Sequence, residues 1–267
     1  MHRRTFYNVG LTLIIAFVTG CAGHSKLDDL LRQQQLHRAS ISTAQFELMT
    51  VAPAISEQAA TLHIYLGGDG RPWVANQPSA DPTGRQPVAI AMMAQDPTPA
   101  IYLGRPCYYL DKMPENCQSV LWTSGRYSEL VIATMTEGVE RVIAAYGKPK
   151  VTLIGYSGGG VIALLLAQRL SPPPRVITVA SNLDIEGWIT FHKLQPLYGS
   201  INPLDVIPDQ AGDSHLIGSR DQVVPVQSIS RYIEAHPQAS YHYFDGFDHK
   251  CCWVENWRDI LLTLHMP

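Results

Sequence analysis

The chain has 267 residues with a formal net charge of −3, of which 46% are apolar and 16% charged. That length suits one α/β domain with a sizeable core, and a mildly acidic chain without clustered Lys and Arg argues against a nucleic-acid partner. Cysteine and histidine lack the spacing of a zinc site, so neither a metal nor another cofactor is expected.

Residues 1–20 open with His2, Arg3 and Arg4, continue through an apolar run from Val9 to Val18, and reach small residues just before Cys21. This is the layout of a secretory signal. The run is too short and too interrupted for the roughly 20 apolar residues of a spanning helix. Val18-Thr19-Gly20-Cys21 resembles the bacterial lipobox. The resemblance implies that the Cys21 thiol receives a diacylglyceryl group and that the chain is cut before it, leaving a domain tethered to the membrane by lipid. Each buried acyl methylene is worth about 0.8 kcal/mol, so several chains on one residue hold firmly. The expected location is the bacterial cell envelope, and Ala22 rather than an Asp after the cysteine points to the outer membrane in a Gram-negative cell. Loss of the signal leaves about 247 residues with a charge near −5.

Residues 21–45 read as a tether, in which Leu27, Leu30 and Leu31 share one helical face between Ser25 and Ala39, and residues 46–267 as the folded domain. Short apolar runs bounded by turn residues predict strands at 46–51, 62–66, 100–103, 151–154, 176–180, 215–217 and 241–244. Helical patterns fall between them at 87–95, 128–146, 159–170, 226–236 and 253–265. Alternation of the two predicts a doubly wound, mostly parallel α/β sheet. Residues 67–84, rich in Gly and Pro, read as a long loop, and loops of that length in compact domains are usually functional.

The strand at 151–154 runs into Gly155-Tyr156-Ser157-Gly158-Gly159-Gly160 and then a helical apolar run. Strand, G-x-S-x-G and helix together are similar to the nucleophile elbow of α/β-hydrolases. The spacing has a steric cause: a serine in a strained turn projects its hydroxyl, and the flanking glycines remove side chains that would collide. A phosphate-binding loop is the competing reading, but no Lys follows the glycines. A serine hydroxyl needs an imidazole to take its proton. His249, in the loop between the last strand and the last helix, stands where this fold carries that base. Asp221, just beyond the strand at 215–217, is the expected acid, with Asp184 as the competitor that instead caps the helix from Ile185. The order Ser157, Asp221, His249 is that of the α/β-hydrolases.

In this fold one oxyanion donor is the backbone N–H after the nucleophile, here Gly158, and the other comes from the loop after the third strand. Gly68 and Asp69 are the candidates. That loop, with Arg105-Pro106-Cys107, the stretch from Trp122 to Tyr127 and Asn182-Leu183-Asp184, resembles a poorly characterised family of bacterial lipoprotein hydrolases with a glycine-aspartate-glycine loop. The resemblance implies a fold and no substrate. With Cys21 lipidated, Cys107 and Cys117 are the natural disulfide pair in an oxidising compartment, while adjacent Cys251 and Cys252 form either a vicinal disulfide or two thiols. About 30 residues between the strands at 176–180 and 215–217 carry Trp188, Phe191, Leu194, Leu197 and Tyr198 and predict a small cap. Its lining would suit an acylated or other small substrate, and packing explains the same residues equally well. Ester cleavage, amide cleavage and acyl transfer share one triad. A non-catalytic envelope lipoprotein is the alternative from another class.

Overall fold

The computed structural model describes residues 25–54, 60–147, 149–209 and 211–264. The signal segment and Cys21 lie outside them. Among the described residues eight strands form one sheet in the order β1-β2-β6-β3-β7-β8-β9-β10. They are β1 (His37–Ser42), β2 (Glu47–Ala52), β3 (Thr61–Leu66), β6 (Ala100–Leu103), β7 (Lys150–Tyr156), β8 (Arg175–Val179), β9 (Ser214–Gly218) and β10 (Ser240–Phe244). From β6 to β10 all pairs are parallel, and only β1 with β2 and β2 with β6 run antiparallel. Every predicted strand therefore exists, within two residues at each end.

The parallel strands are buried on both faces, so they read as continuous apolar runs and not as alternation. Leu62, Ile64, Leu66, Leu153, Ile154, Val176 and Ile177 are fully buried. The helices that cover them are α2 (Val88–Met93), α3 (Glu129–Ala145), α4 (Gly158–Ala167), α7 (Ser230–Ala235) and α8 (Trp253–Thr263). All ten residues of α4 are buried. That explains why its sequence is apolar all round and has no polar face.

Three departures from the sequence reading have physical causes. The helix expected from Ser25 to Ala39 ends early: α1 covers Ser25–Gln33, Gln35 takes φ 52°, and the chain turns into β1. Residues 37–42, expected within the tether, thus belong to the sheet. β1 is an edge strand exposed at four of its first five residues with Ile41 half-buried, and its alternation is limited to Ala39 and Ile41 between polar residues, too short to mark a strand. Leu27 and Leu36 are buried and dock this segment on the core. The loop at 67–84 contains a small hairpin, β4 (Trp73–Val74) with β5 (Gln77–Pro78), turned by Ala75 and Asn76 at φ 47° and 63°. The helix expected at 226–236 opens as a 3₁₀ turn, Val226–Ile229, before α7.

A buried polar network fixes α8 to the sheet. Trp257 Nε1 donates to Tyr65 Oη at 2.7 Å, Tyr65 donates to Asp96, and Asp96 Oδ2 meets His63 Nδ1 at 2.6 Å. Trp257 itself is fully buried. Trp257→Ala is expected to lower unfolding free energy by about 3–5 kcal/mol, as for other buried aromatics cut to Ala, whereas Trp257→Phe, which mainly removes the donor, is expected to cost about 1–3 kcal/mol. Urea unfolding of the two variants measures the difference.

Candidate active site

β7 delivers Tyr156 to the edge of the sheet, and the next residue turns back sharply into α4. Ser157 sits at φ 52°, ψ −128°, a conformation L-residues rarely adopt. The turn closes because Gly155 and Gly159 touch backbone to backbone: a side chain on Gly155 would collide with the Gly159 carbonyl. Ser157 is held in this strained state by its N–H donating to Val179 O at 2.8 Å and its carbonyl accepting from Gly160 N at 2.9 Å. Such over-determined strain is common where a side chain must be aimed.

His249 lies in the loop between β10 and α8. Its Nε2 is 3.1 Å from Ser157 Oγ and its Nδ1 is 2.9 Å from Asp221 Oδ2. The loop is pinned from several sides. Tyr156 Oη donates to the His249 carbonyl at 2.7 Å, Trp253 Nε1 donates to Asp248 O at 2.9 Å, and Asp248 Oδ1 accepts from the N–H groups of Lys250 and Cys251 at 2.7 Å. Asp221 is buried, and its Oδ1 accepts from Val223 N and Val224 N, both at 2.8 Å. One carboxylate oxygen is thereby fixed by backbone and the other faces the imidazole.

The competitor is elsewhere. Asp184 Oδ1 accepts from Gly187 N at 3.0 Å as the N-cap of α5 (Ile185–His192), and its carboxylate takes two hydrogen bonds from Arg231 at 2.7 and 2.8 Å. It makes no hydrogen bond to His249.

Gly68 lies against the nucleophile: a Cβ there would stand 3.0 Å from Ser157 Cβ and 3.5 Å from Oγ. Asp69 beside it serves as an anchor through its side chain. Its carboxylate accepts from Arg105 at 2.6 Å, Arg126 at 2.9 Å and Tyr127 Oη at 2.7 and 2.8 Å, and its carbonyl accepts from Tyr108 Oη at 2.9 Å. It also packs so closely on Gly158 Cα that any side chain there would strike it. Burial alone would raise the Asp69 pKa, but the charges of Arg126 and Arg105 and the hydrogen bonds outweigh it and hold the group at about 2. In the sequence Arg105, Arg126 and Tyr127 carry no visible role, because they are 36, 57 and 58 positions away from Asp69, beyond any local pattern.

Two adjoining cavities meet here. One of about 540 Å³ contains Ser157, His249, Gly68 and Asn182. The other, of about 610 Å³, is lined by Trp73, Leu194, Leu197 and Tyr198 of the hairpin and cap, and both share Pro72, Arg126 and Trp188. The amide Nδ2 of Asn182 is buried without a hydrogen-bond partner. The Sγ atoms of Cys107 and Cys117 are bonded, with Cα atoms 5.6 Å apart, and those of Cys251 and Cys252 are bonded across a cis peptide.

No family model and no curated protein matches the sequence. Solved structures do. A Pyrococcus furiosus esterase shares 15% identity over 88% of this chain and 93% of its own, with a TM-score of 0.60. A lid-less α/β serine hydrolase from Xanthomonas campestris shares 12% over 86% and 92%, with a TM-score of 0.53. A bacterial membrane phospholipase A, described as a virulence factor, shares 15% over 90% and 88%, with a TM-score of 0.57.

Asp69→Asn is expected to destabilise the protein by about 3–5 kcal/mol at pH 7, because it leaves buried Arg105 and Arg126 short of their counter-charge. The folded carboxyl is held at about 2, below its ordinary unfolded value near 3.9. Its contribution is thus complete above about pH 4 and is lost as pH falls towards 2, so the gap between variant and wild type should narrow over that window. Thermal midpoints from pH 2 to 7 test this. The sheet order, the Ser157 turn and these likenesses together establish that the chain has the α/β-hydrolase fold.

Proposed function

We propose that the chain is a serine hydrolase that cleaves an ester or related acyl bond. The reading rests on one observation: the unbroken hydrogen-bonded line from Ser157 Oγ through His249 to Asp221, set at a strained turn beside a cavity. That three structural neighbours carry the names esterase, serine hydrolase and phospholipase supports it.

In this reading His249 Nε2 takes the Ser157 proton as Oγ attacks the acyl carbon, and Asp221 stabilises the imidazolium and holds its tautomer. Negative charge develops on the carbonyl oxygen. The N–H of Gly158 and that of Gly68 or Asp69 stabilise it, helped by the N-terminus of α4. The imidazolium then gives its proton to the leaving oxygen, and an acyl-enzyme remains. Water, deprotonated by His249, releases the acid. The apolar cavity beside Trp188 receives the acyl chain, which favours an ester over a peptide, since its lining offers aromatic and aliphatic surface. Cys21 carries the lipid that holds the enzyme in the bacterial envelope.

Ser157→Ala and Asp221→Asn are each expected to lower kcat on p-nitrophenyl esters by on the order of 10⁴ or more, the scale of the protease example, and Ser157→Ala to abolish fluorophosphonate labelling. Asp184→Asn should retain kcat while its thermal midpoint falls. The reverse pattern for the two aspartates would exchange their roles, and undiminished turnover in Ser157→Ala would end the serine mechanism.

Wild-type chain expressed in a bacterial host is expected to incorporate labelled fatty acid, and Cys21→Ser is not. Mass spectrometry of the mature N-terminus reads the outcome; an unmodified chain there removes the anchor.

A further inference from the structure

The Ser157 cavity is lined by Lys26, Arg71, Arg85 and Lys250 as well as by Ser157 and His249. These four come from three separate elements: α1, the loop after β3, and the loop before α8. Among the described residues none of the four forms a salt bridge through its side chain. Asp69 is the one carboxylate among the lining residues, and it is already neutralised by Arg105 and Arg126. A chain with net charge −3 thus gathers four cations without salt-bridge partners at the proposed substrate cleft, with Asp248 the acidic group near Lys250.

The arrangement is built by the backbone. Arg71 N donates to Pro82 O at 2.7 Å, and Gly70, at φ 64°, packs against Pro82 and Gly84 so tightly that no side chain would fit. The loop after β3 is thereby folded back on itself, and Arg71 and Arg85, 14 positions apart, line the same cavity. Arg71 is half-buried and the other three are exposed. Like charges gathered in one cleft repel, and an anion placed among them removes that repulsion. Low-dielectric walls also focus the field of such a cleft and draw anions in.

We propose that Lys26, Arg71, Arg85 and Lys250 form a subsite for an anionic group of the substrate, a phosphate or a carboxylate, so that the enzyme acts on an amphiphile with its apolar chain beside Trp188. This substrate class rests on the hydrolase reading above; the anion subsite itself does not. A lipid headgroup and a soluble anionic ester offer the same chemistry. The proposed anchor favours the headgroup. Lys26 is five residues after Cys21, and at about 3.5 Å per residue the lipidated cysteine stays within about 18 Å of it. The bilayer surface therefore lies within reach of the cleft.

Binding is measured without turnover. Octyl phosphate below its micellar concentration and neutral octyl glucoside are titrated into wild type, Arg71→Gln/Arg85→Gln and Arg85→Gln/Lys250→Gln, read by tryptophan fluorescence. The second pair changes exposed side chains alone and guards against misfolding in the first. Wild type is expected to prefer the phosphate by about tenfold or more. Each double variant should lose most of that preference, as should wild type in 0.5 M NaCl, where screening shortens the reach of exposed charges to a few ångströms. Equal binding of the two ligands by wild type, or an unchanged preference in both variants, overturns the subsite. Sedimentation with phosphatidylcholine vesicles, with and without about a third phosphatidylglycerol, separates the sources. A gain on anionic vesicles that the variants lose assigns a lipid headgroup, and phosphate preference without that gain assigns a soluble ester. A protein that prefers octyl phosphate yet hydrolyses no ester keeps the subsite and loses the hydrolase reading.

Discussion

The carboxylate of Asp69 is the point on which the top of this molecule hangs. It joins three segments: its own loop after β3, the segment carrying Arg105 after the paired strand β6, and the segment carrying Arg126 and Tyr127 before α3, which belongs to no strand. An unpaired carboxylate at this depth would be expensive, and so would two unpaired guanidinium groups. Because each compensates the other, the three segments can be buried only together. The same carboxylate packs on Gly158, and its neighbour Gly68 lies against Ser157, so the clamp shapes the backbone around that serine. The Cys107–Cys117 bond closes the segment that begins at Arg105 and so restrains the same clamp from its far side.

That dependence also decides what the sequence could reveal. The parallel strands were legible because burial on both faces demands unbroken apolar runs, and Leu153, Ile154, Val176 and Ile177 supply them. Ser157 was legible for a related reason: the turn needs glycine at Gly155 and Gly159, and the requirement is local. His249 and Asp221 could be placed only by order along the chain, since nothing near them in sequence announces that they meet. β1 was hidden because its apolar alternation is confined to Ala39 and Ile41 on an exposed edge strand, too short a pattern to stand out. The hairpin at Trp73–Pro78 was hidden because Ala75-Asn76 is a weaker turn signal than Asn-Gly. The Asp69 cluster could not have been found at all by spacing, as its partners lie in two other segments far along the chain.

The cap illustrates how one set of residues can serve two purposes. Trp188 belongs to α5, whose first turn is fixed by Asp184 and Arg231, yet its indole Nε1 reaches out to Val223 O at 2.6 Å. Val223 is in turn held by Asp221. The aromatic wall between the two cavities is therefore braced against the loop that carries the candidate acid. Trp73, Leu194 and Tyr198 on its outer side remain exposed, which is costly for a surface with only a packing role and economical for one that receives an apolar group.

The two aspartates differ in how their hydrogen-bond capacity is used, a difference that sequence context leaves open. Both follow central strands, both are buried, and both begin a turn or helix. A carboxylate has room for about four acceptor contacts. Asp184 spends both oxygens on Arg231 and one again on the Gly187 N–H, so its charge is matched by a partner it holds in place. Among the described residues Asp221 pairs with no arginine. Two backbone N–H groups occupy Oδ1, which fixes the carboxylate without neutralising it, and Oδ2 is left to face His249 Nδ1. A full negative charge held rigidly beside an imidazole stabilises the imidazolium, whereas a charge already paired with a guanidinium does so weakly. The difference between the carboxylate that faces His249 and the one that caps a helix thus lies in which groups occupy its oxygens, and those groups are set by tertiary structure.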